Sequence, residues 1–464
     1  MSGETNPTAS GGKSRVLVSS VIGSVIEWYD YTLYGTAAAL VFNHLFFPQF
    51  SSGAGTVAAF GSFAVGFIAR PIGGFVAGHY GDRIGRKATL VMTLLAMGIS
   101  TTLIGLLPTY EAIGLWAPTL LIVLRLVQGF AVGGEWGGAV LMAVEHAPRN
   151  RRGLYGAWPQ TGVSAGLLLG TGAFALMNML PEEQFMSWGW RVPFLLSIVL
   201  AGVGLWVRYR ITESPAFVEA QQTRQAQHDV VKAPLIEVFR RHPRELLIAI
   251  GARFAEGGNY YVFTVFILAY ISEHVGAPRG TALTAVLIAS ALDIVALPIA
   301  GLASDRFGRR PVYIFGAVFI AVSAWPLFAM IETGNAVAIA AAISLFLVFG
   351  HAAVYGPLAA FYAELFPANV RYSGVSIGYQ AASILLGGLT PLIASSLLLW
   401  SGGSSWPIIV MVAGCGVIAA VTMLCAPETK NRDLAAIDNR PRSADNRPRS
   451  ADNTNSHSIA KVSQ

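Results

Sequence analysis

The chain has 464 residues, 54% of them hydrophobic and only 12% charged, about half the charged share of a soluble domain. That balance excludes a water-soluble globular protein and points to a chain that crosses a membrane many times. The formal net charge of +6 raises the question of nucleic acid, but the basic residues gather in one set of loops, so the excess reflects membrane topology and no nucleic-acid partner is expected.

In chain order, residues 1–14 are polar and rich in Gly and Ser, and are expected to be disordered. The apolar run that follows carries Glu27 and Asp30 and no small-residue cleavage site, so it is a retained span rather than a signal peptide. A spanning helix needs about 20 mostly apolar residues. Twelve such runs centre near Ser24, Phe67, Ala96, Phe130, Leu167, Val199, Phe263, Ile288, Ile320, Phe349, Leu386 and Gly414. The polar connector 211–243 divides them into a bundle of six over 15–210 and a second six over 244–426. A basic tail, 427–464, holds the tandem Arg440–Asn446 and Arg447–Asn453 and is expected to be disordered.

Away from the spans, Arg191 and Arg279 are the only basic residues near one set of loops. The other set holds the rest, so both termini are expected in the cytoplasm. Cys415 and Cys425 fall in one helix about 15 Å apart and cannot bridge. The 50 glycines exceed the usual share of about 7%, as expected where membrane helices approach through small residues. Gly162, Gly166 and Gly170 form such a seam on span 5.

Two motifs occur twice, in the same order. Gly78-His-Tyr-Gly-Asp82-Arg83-Ile-Gly-Arg86-Lys87 returns as Gly301-Leu-Ala-Ser-Asp305-Arg306-Phe-Gly-Arg309-Arg310. Glu145-His-Ala-Pro-Arg-Asn-Arg-Arg152 returns as Glu364-Leu-Phe-Pro-Ala-Asn-Val-Arg371. Tandem membrane halves are the signature of a transporter whose halves rock about a central site.

These loops resemble the hallmark loop of the major facilitator superfamily. Three further runs, Glu27–Gly35, Arg125–Gly138 and Ser187–Phe194, look like its metabolite:proton symporter family. That resemblance, over about 16–427, implies an all-α membrane protein of twelve helices in two pseudo-symmetric six-helix bundles. It implies a functional monomer in a bacterial-type inner membrane, importing a small carboxylate with protons. Shikimate-type and related organic-acid carriers are the most similar branch; a proline/betaine-type osmolyte symporter, an efflux antiporter, and a non-transporting sensor or channel are the alternatives.

The intramembrane charges name the candidate site. One at a helix centre costs about 2.5–3.5 kcal/mol on insertion scales, so each needs a partner or a wet cavity. Glu27, Asp30, Tyr31 and Tyr34 share a side of span 1; Arg125, Gln128 and Glu135 share a stripe of span 4; Arg253, Glu256, Gly257 and Tyr260 share one on span 7. Arg125 or Arg253 would fork onto a substrate carboxylate, with Gln128, Tyr34 and Tyr260 beside it. Glu135, Asp30, Glu27 or Glu256 would carry the proton. Static ion pairs holding the bundle together are the plainer alternative.

Gating falls to Asp82, Arg83, Arg86, Asp305, Arg306 and Arg309 as latches on the cytoplasmic side, or simply as topogenic basic loops. Glu145 with Arg152, and Glu364 with Arg371, are expected to pair across the interface. Arg70 and Asp293 occupy matching repeat positions and suggest complementary roles near the same gate. His351, Tyr355 and Tyr362 share a face of span 10, where a lone histidine is usually a satisfied packing residue. No phosphate loop, His-Glu-x-x-His or Gly-x-Ser-x-Gly occurs. Neither enzyme nor ATP-driven pump is expected, and no cofactor or metal beyond the proton gradient.

Overall fold

Lipid offers no hydrogen bonds, so apolar runs of this length satisfy their backbone only as helices. The computed structural model describes residues 8–84, 86–132, 135–209, 234–367 and 370–434, and every regular element among them is helical. The N-terminal six are α1 (Thr8–Ala37), α2 (Ser52–Ile84), α3 (Arg86–Leu106), α4 (Trp116–Val132, resuming as Glu135–Glu145), α5 (Arg152–Met177) and α6 (Arg191–Tyr209). The C-terminal six are α7 (Pro243–Arg253, running on through short segments to His274), α8 (Arg279–Phe307), α9 (Arg309–Glu332), α10 (Ala336–Leu345, continuing to Leu365), α11 (Arg371–Ser383, continuing to Trp400) and α12 (Trp406–Cys425). Each expected span centre lies in one of these runs. Two boundaries differ: α1 takes in Thr8–Ser14, and residues 428–434 pack on the body of the protein rather than forming part of a disordered tail.

Seven helices among the described residues are individually long and apolar enough to cross a bilayer. The remaining spans depart from that rule for reasons in their sequence. α7 carries Arg253, Glu256 and Asn259 and widens into three π-helical turns, Phe254–Gly258, Val262–Phe266 and Tyr270–His274, a distortion frequent at functional sites. α6 meets the preceding helical segment at a 41° bend.

Glycines set the closest helix crossings. A Cβ on Gly162 or Gly166 would fall 2.5 or 2.6 Å from Ser24 or Tyr29, so the predicted seam seats α5 on α1. On Gly129 it would sit 1.9 Å from the Gly66 carbonyl oxygen, which locks α4 to α2. The halves touch through α5 against α8, where Gly153 and Gly301 oppose each other, and through α2 against α11, where Phe67 rests on Gly387 and Gly388. This last contact places an aromatic plug between the halves.

Candidate substrate site and gates

Two guanidinium groups stand deep in the N-terminal half. Arg125 (α4) is fully buried. It donates to Gln128 Oε1, and Gln128 is fixed in turn by Thr101 at 2.8 Å. Its guanidinium lies over the rings of Tyr31 and Tyr34, each at 4.2 Å, and Phe63 at 4.9 Å. Arg70 (α2) is also buried and lies 3.9 Å over Tyr31 and 4.6 Å over Phe67. Among the described residues neither arginine has a carboxylate within ion-pair distance, and both keep buried N–H groups without a protein acceptor.

Cation–π contacts are worth about 0.5–2 kcal/mol each and hold the charges without neutralising them. Tyr34 is anchored to Ser62 at 2.7 Å. Trp28, Tyr260 and Tyr261 close the aromatic wall around this cationic pocket.

Arg253 is different. It pairs with Glu256 one turn on, donates to Ser383 at 3.1 Å and lies 3.7 Å over the Tyr379 ring. Its charge is already balanced, and Glu256 is its counter-ion. Asp30 points away from the aromatic wall to α6, where Ser197 donates to it at 2.7 Å; its second oxygen is buried without a partner, and Arg125 acts on it electrostatically. Glu27 is buried and acts likewise on Arg70. The side chain of Glu135 lies outside the described residues, as do those of Asp82, Arg83 and Arg86.

Asp293 and Arg70 do not meet. Asp293 (α8) pairs with His351 Nδ1 (α10) at 2.9 Å, both fully buried, and accepts a bond from Ser164 of α5. His351 is thus no isolated packing residue. Tyr362, on the same face, donates to the Ala249 carbonyl of α7. Sequence reading did not place Arg70 beside Arg125 in the substrate site, nor give Asp293 its partner His351 in the C-terminal half. The signals it had were that each is a charge inside a span and that the two stand at matching repeat positions.

The end of the bundle that carries the repeated loops is shut by ionic contacts between the halves. Asp305 accepts the backbone N–H groups of Gly153 and Leu154 at 2.8 and 2.9 Å, capping the positive end of α5, and pairs with Arg309 at 2.7 Å. Arg309 also forks onto Glu364, both bonds 3.2 Å. The pairs expected within each repeat are exchanged: Arg371 reaches Glu145 at 3.3 Å and Arg152 reaches Glu364 at 3.8 Å. Arg306 stays exposed beside Phe307 and gives the gate only its carbonyl, which accepts from Lys430.

Residues 428–434 then cross the gate. Glu428 caps the start of α9, accepting from the backbone of Arg309 and Arg310 at 3.0 and 3.1 Å. Thr429 donates to Glu364 at 2.9 Å. The carbonyls of Asn431, Arg432 and Leu434 take bonds from Arg149, Arg152 and Arg371. At the opposite end Glu273 (α7) binds Asn43 at 2.7 Å and Thr56 at 3.1 Å. Contacts between the halves therefore close both ends of the bundle.

Two repeated six-helix halves with charges between them and a gate at each end define a transporter of the major facilitator superfamily. The model for "Sugar (and other) transporter" proteins matches residues 16–440, and the chain belongs to that family. It is 44% identical to the shikimate transporter of Escherichia coli K12 over 418 residues, covering 90% of this chain and 95% of that one. It is 41% identical to the inner membrane metabolite transport protein YhjE of the same organism over 443 residues (93% and 98%). A proline/betaine transporter of that organism shares 35% over 434 residues (91% and 85%). Among solved structures, that of a D-xylose–proton symporter superposes with a TM-score of 0.70 at 21% identity, over 90% of this chain and 99% of the other, and so shares the fold.

Proposed function

We propose that this chain imports a small organic acid with protons by alternating access, as a monomer in a bacterial inner membrane with both termini in the cytoplasm. The observation that carries the reading is the Arg70–Arg125 pair: two buried guanidiniums, fixed in charge, with donors to spare and, among the described residues, no carboxylate within ion-pair distance. A carboxylate ligand supplies the missing counter-charge and accepts the forked bonds. The rings of Tyr31, Phe67 and Tyr261 beside them suit a cyclic carbon skeleton such as that of shikimate. Asp30, within the field of Arg125, is the N-terminal half's proton carrier. Glu27 beside Arg70 and Glu135 on the α4 stripe are further candidates, and Glu256 serves Arg253.

A zwitterionic osmolyte is the second reading. It is favoured by the proline/betaine relative and by the Trp28–Tyr260–Tyr261 wall, which can hold a quaternary ammonium. Proteoliposomes with an inward proton gradient, offered radiolabelled shikimate, a dicarboxylate, proline and glycine betaine, separate the two. Accumulation of an acid, abolished by a protonophore and by Arg125→Gln, is the expected result. Uptake of betaine alone, or uptake indifferent to the protonophore, overturns it.

A further inference from the structure

We propose that Asp293 and His351 form a proton site in the C-terminal half, and that Ser164 makes its occupancy a condition for contact between the halves. The inference rests on the proton-coupled reading above and adds the place where a proton is held while both ends are shut.

Charge counting over the pair supplies the reason. Asp293 Oδ2 faces His351 Nδ1 at 2.9 Å, and both side chains have zero exposure. With one shared proton the pair is neutral overall, as acid and imidazole or as carboxylate and imidazolium. Without it, a net negative charge is left in a dry interior. Among the described residues no Lys or Arg pairs with either group.

The groups that face the pair are Ser164 from α5, Tyr260 from α7, and Tyr355 from α10 itself, whose carbonyl accepts a bond from Gln160 of α5. No titratable side chain of α9 bonds to either member. None of these neighbours offsets a negative charge at neutral pH, so the buried arrangement requires the proton.

Position makes this a coupling device. Asp293 and His351 belong to the C-terminal half, whereas Ser164 belongs to α5 of the N-terminal half and donates to the same carboxylate oxygen. Releasing the proton leaves an anion that must be hydrated, and water reaches it only if α5 leaves α8. Conversely, α5 can return to α8 only after the pair has been reprotonated. Among the described residues, Asp293 Oδ1, His351 Nε2 and the Tyr260 hydroxyl are all buried without a hydrogen-bond partner, so sites remain for an arriving proton. Tyr260 lies against His351 at 4.6 Å and against Trp28 of α1 at 6.2 Å. The pair is therefore one ring away from the wall around Arg70 and Arg125, through which ligand binding can act on it.

The test has two arms. The first needs no substrate: an acid-minus-alkaline infrared difference spectrum of the purified protein. The pair gives a carboxyl or imidazolium band that disappears in Asp293→Asn, shifts in Ser164→Ala and persists in Asp30→Asn. A wild-type spectrum unchanged by Asp293→Asn and by His351→Gln overturns the proposal.

The second arm uses radiolabelled shikimate in proteoliposomes. Asp293→Asn is expected to keep exchange of internal for external label, which also shows that it folds. It is expected to lose gradient-driven accumulation, about tenfold for each pH unit imposed. Accumulation at the wild-type ratio in Asp293→Asn and in His351→Gln refutes it. If the wild type does not carry shikimate, the organic-acid reading is at fault, and the infrared result still decides the fate of the pair.

Discussion

Replacing Asp305 by Asn should open the gate formed by the repeated loops. The carboxylate makes three bonds in the closed gate: two from the N-terminal amides of α5 at 2.8 and 2.9 Å, and one from Arg309 at 2.7 Å. A hydrogen bond to a charged group is worth about 1.5–3 kcal/mol, and the helix dipole adds about 0.3–1 kcal/mol. Asn keeps the shape but has one acceptor oxygen and turns an NH2 group toward a donor. At least one α5 amide loses its partner, and the attraction to Arg309 goes with the charge. Some of this loss is recovered from water once the gate parts. A net shift of about 3 kcal/mol toward opening corresponds to roughly a hundredfold change in the closed-to-open ratio.

Spin labels at Asn150 and Phe307, both exposed at the gate end of the bundle and on opposite halves, report this as a longer component in the distance distribution. Cys415 and Cys425 are replaced first. A distribution indistinguishable from that of the unsubstituted gate would refute the latch and leave Asp305 a topogenic residue.

Other outcomes follow from the same geometry. A methyl group on Gly66 would lie 2.7 Å from Arg125 Nε, so Gly66→Ala should raise KM for transport severalfold and cost about 1–3 kcal/mol in stability, read as a lower Tm. Glu364→Ala removes one of the two carboxylates on buried Arg309 and the carboxylate partner of Arg152, and should destabilise by about 3 kcal/mol. Glu145→Ala, whose partner Arg371 it meets at the surface, should cost about 1 kcal/mol or less; equal effects in a thermal-shift assay would contradict the assigned network.

Glu428 supplies a pH test. Burial alone would raise its pKa, but the main-chain N–H groups of Lys430, Arg309, Arg310 and Thr429 prevail and hold it below the ordinary carboxylate value. Its contribution is therefore complete above the ordinary carboxylate range and lost as pH falls through the lowered value. Melting curves of the wild type should lose this increment on acidification, whereas Glu428→Gln should lack it at every pH.

The spans were legible because lipid leaves an apolar run only one regular conformation, so composition and length suffice to place α8, α9 and α12. The repeated loops disclosed the gate for a similar reason: a carboxylate beside arginines at the end of a span has few uses. What stayed hidden was choice of partner. Glu145 and Arg152 stand seven residues apart in the chain, yet pair with Arg371 and Glu364 of the other half, because exchange between repeats depends on how the halves dock. Arg253 and Arg125 look alike in a stripe, and only the fold shows that Glu256 satisfies one while aromatic rings surround the other. Asp293 and His351 lie on separate helices, and nothing in either local pattern announces their meeting.

The segment over the gate binds arginines through the peptide carbonyls of Asn431, Arg432 and Leu434. Every amino acid brings that oxygen, so the clasp should be indifferent to side-chain identity along most of its length. Asn431 is the exception: its φ of 66° suits Asn and would penalise a β-branched replacement. Spacing is another matter. Adding or removing a single residue between Glu428 and Asn431 would put every carbonyl out of step with its arginine, so this stretch should tolerate spelling errors far better than a change in word length.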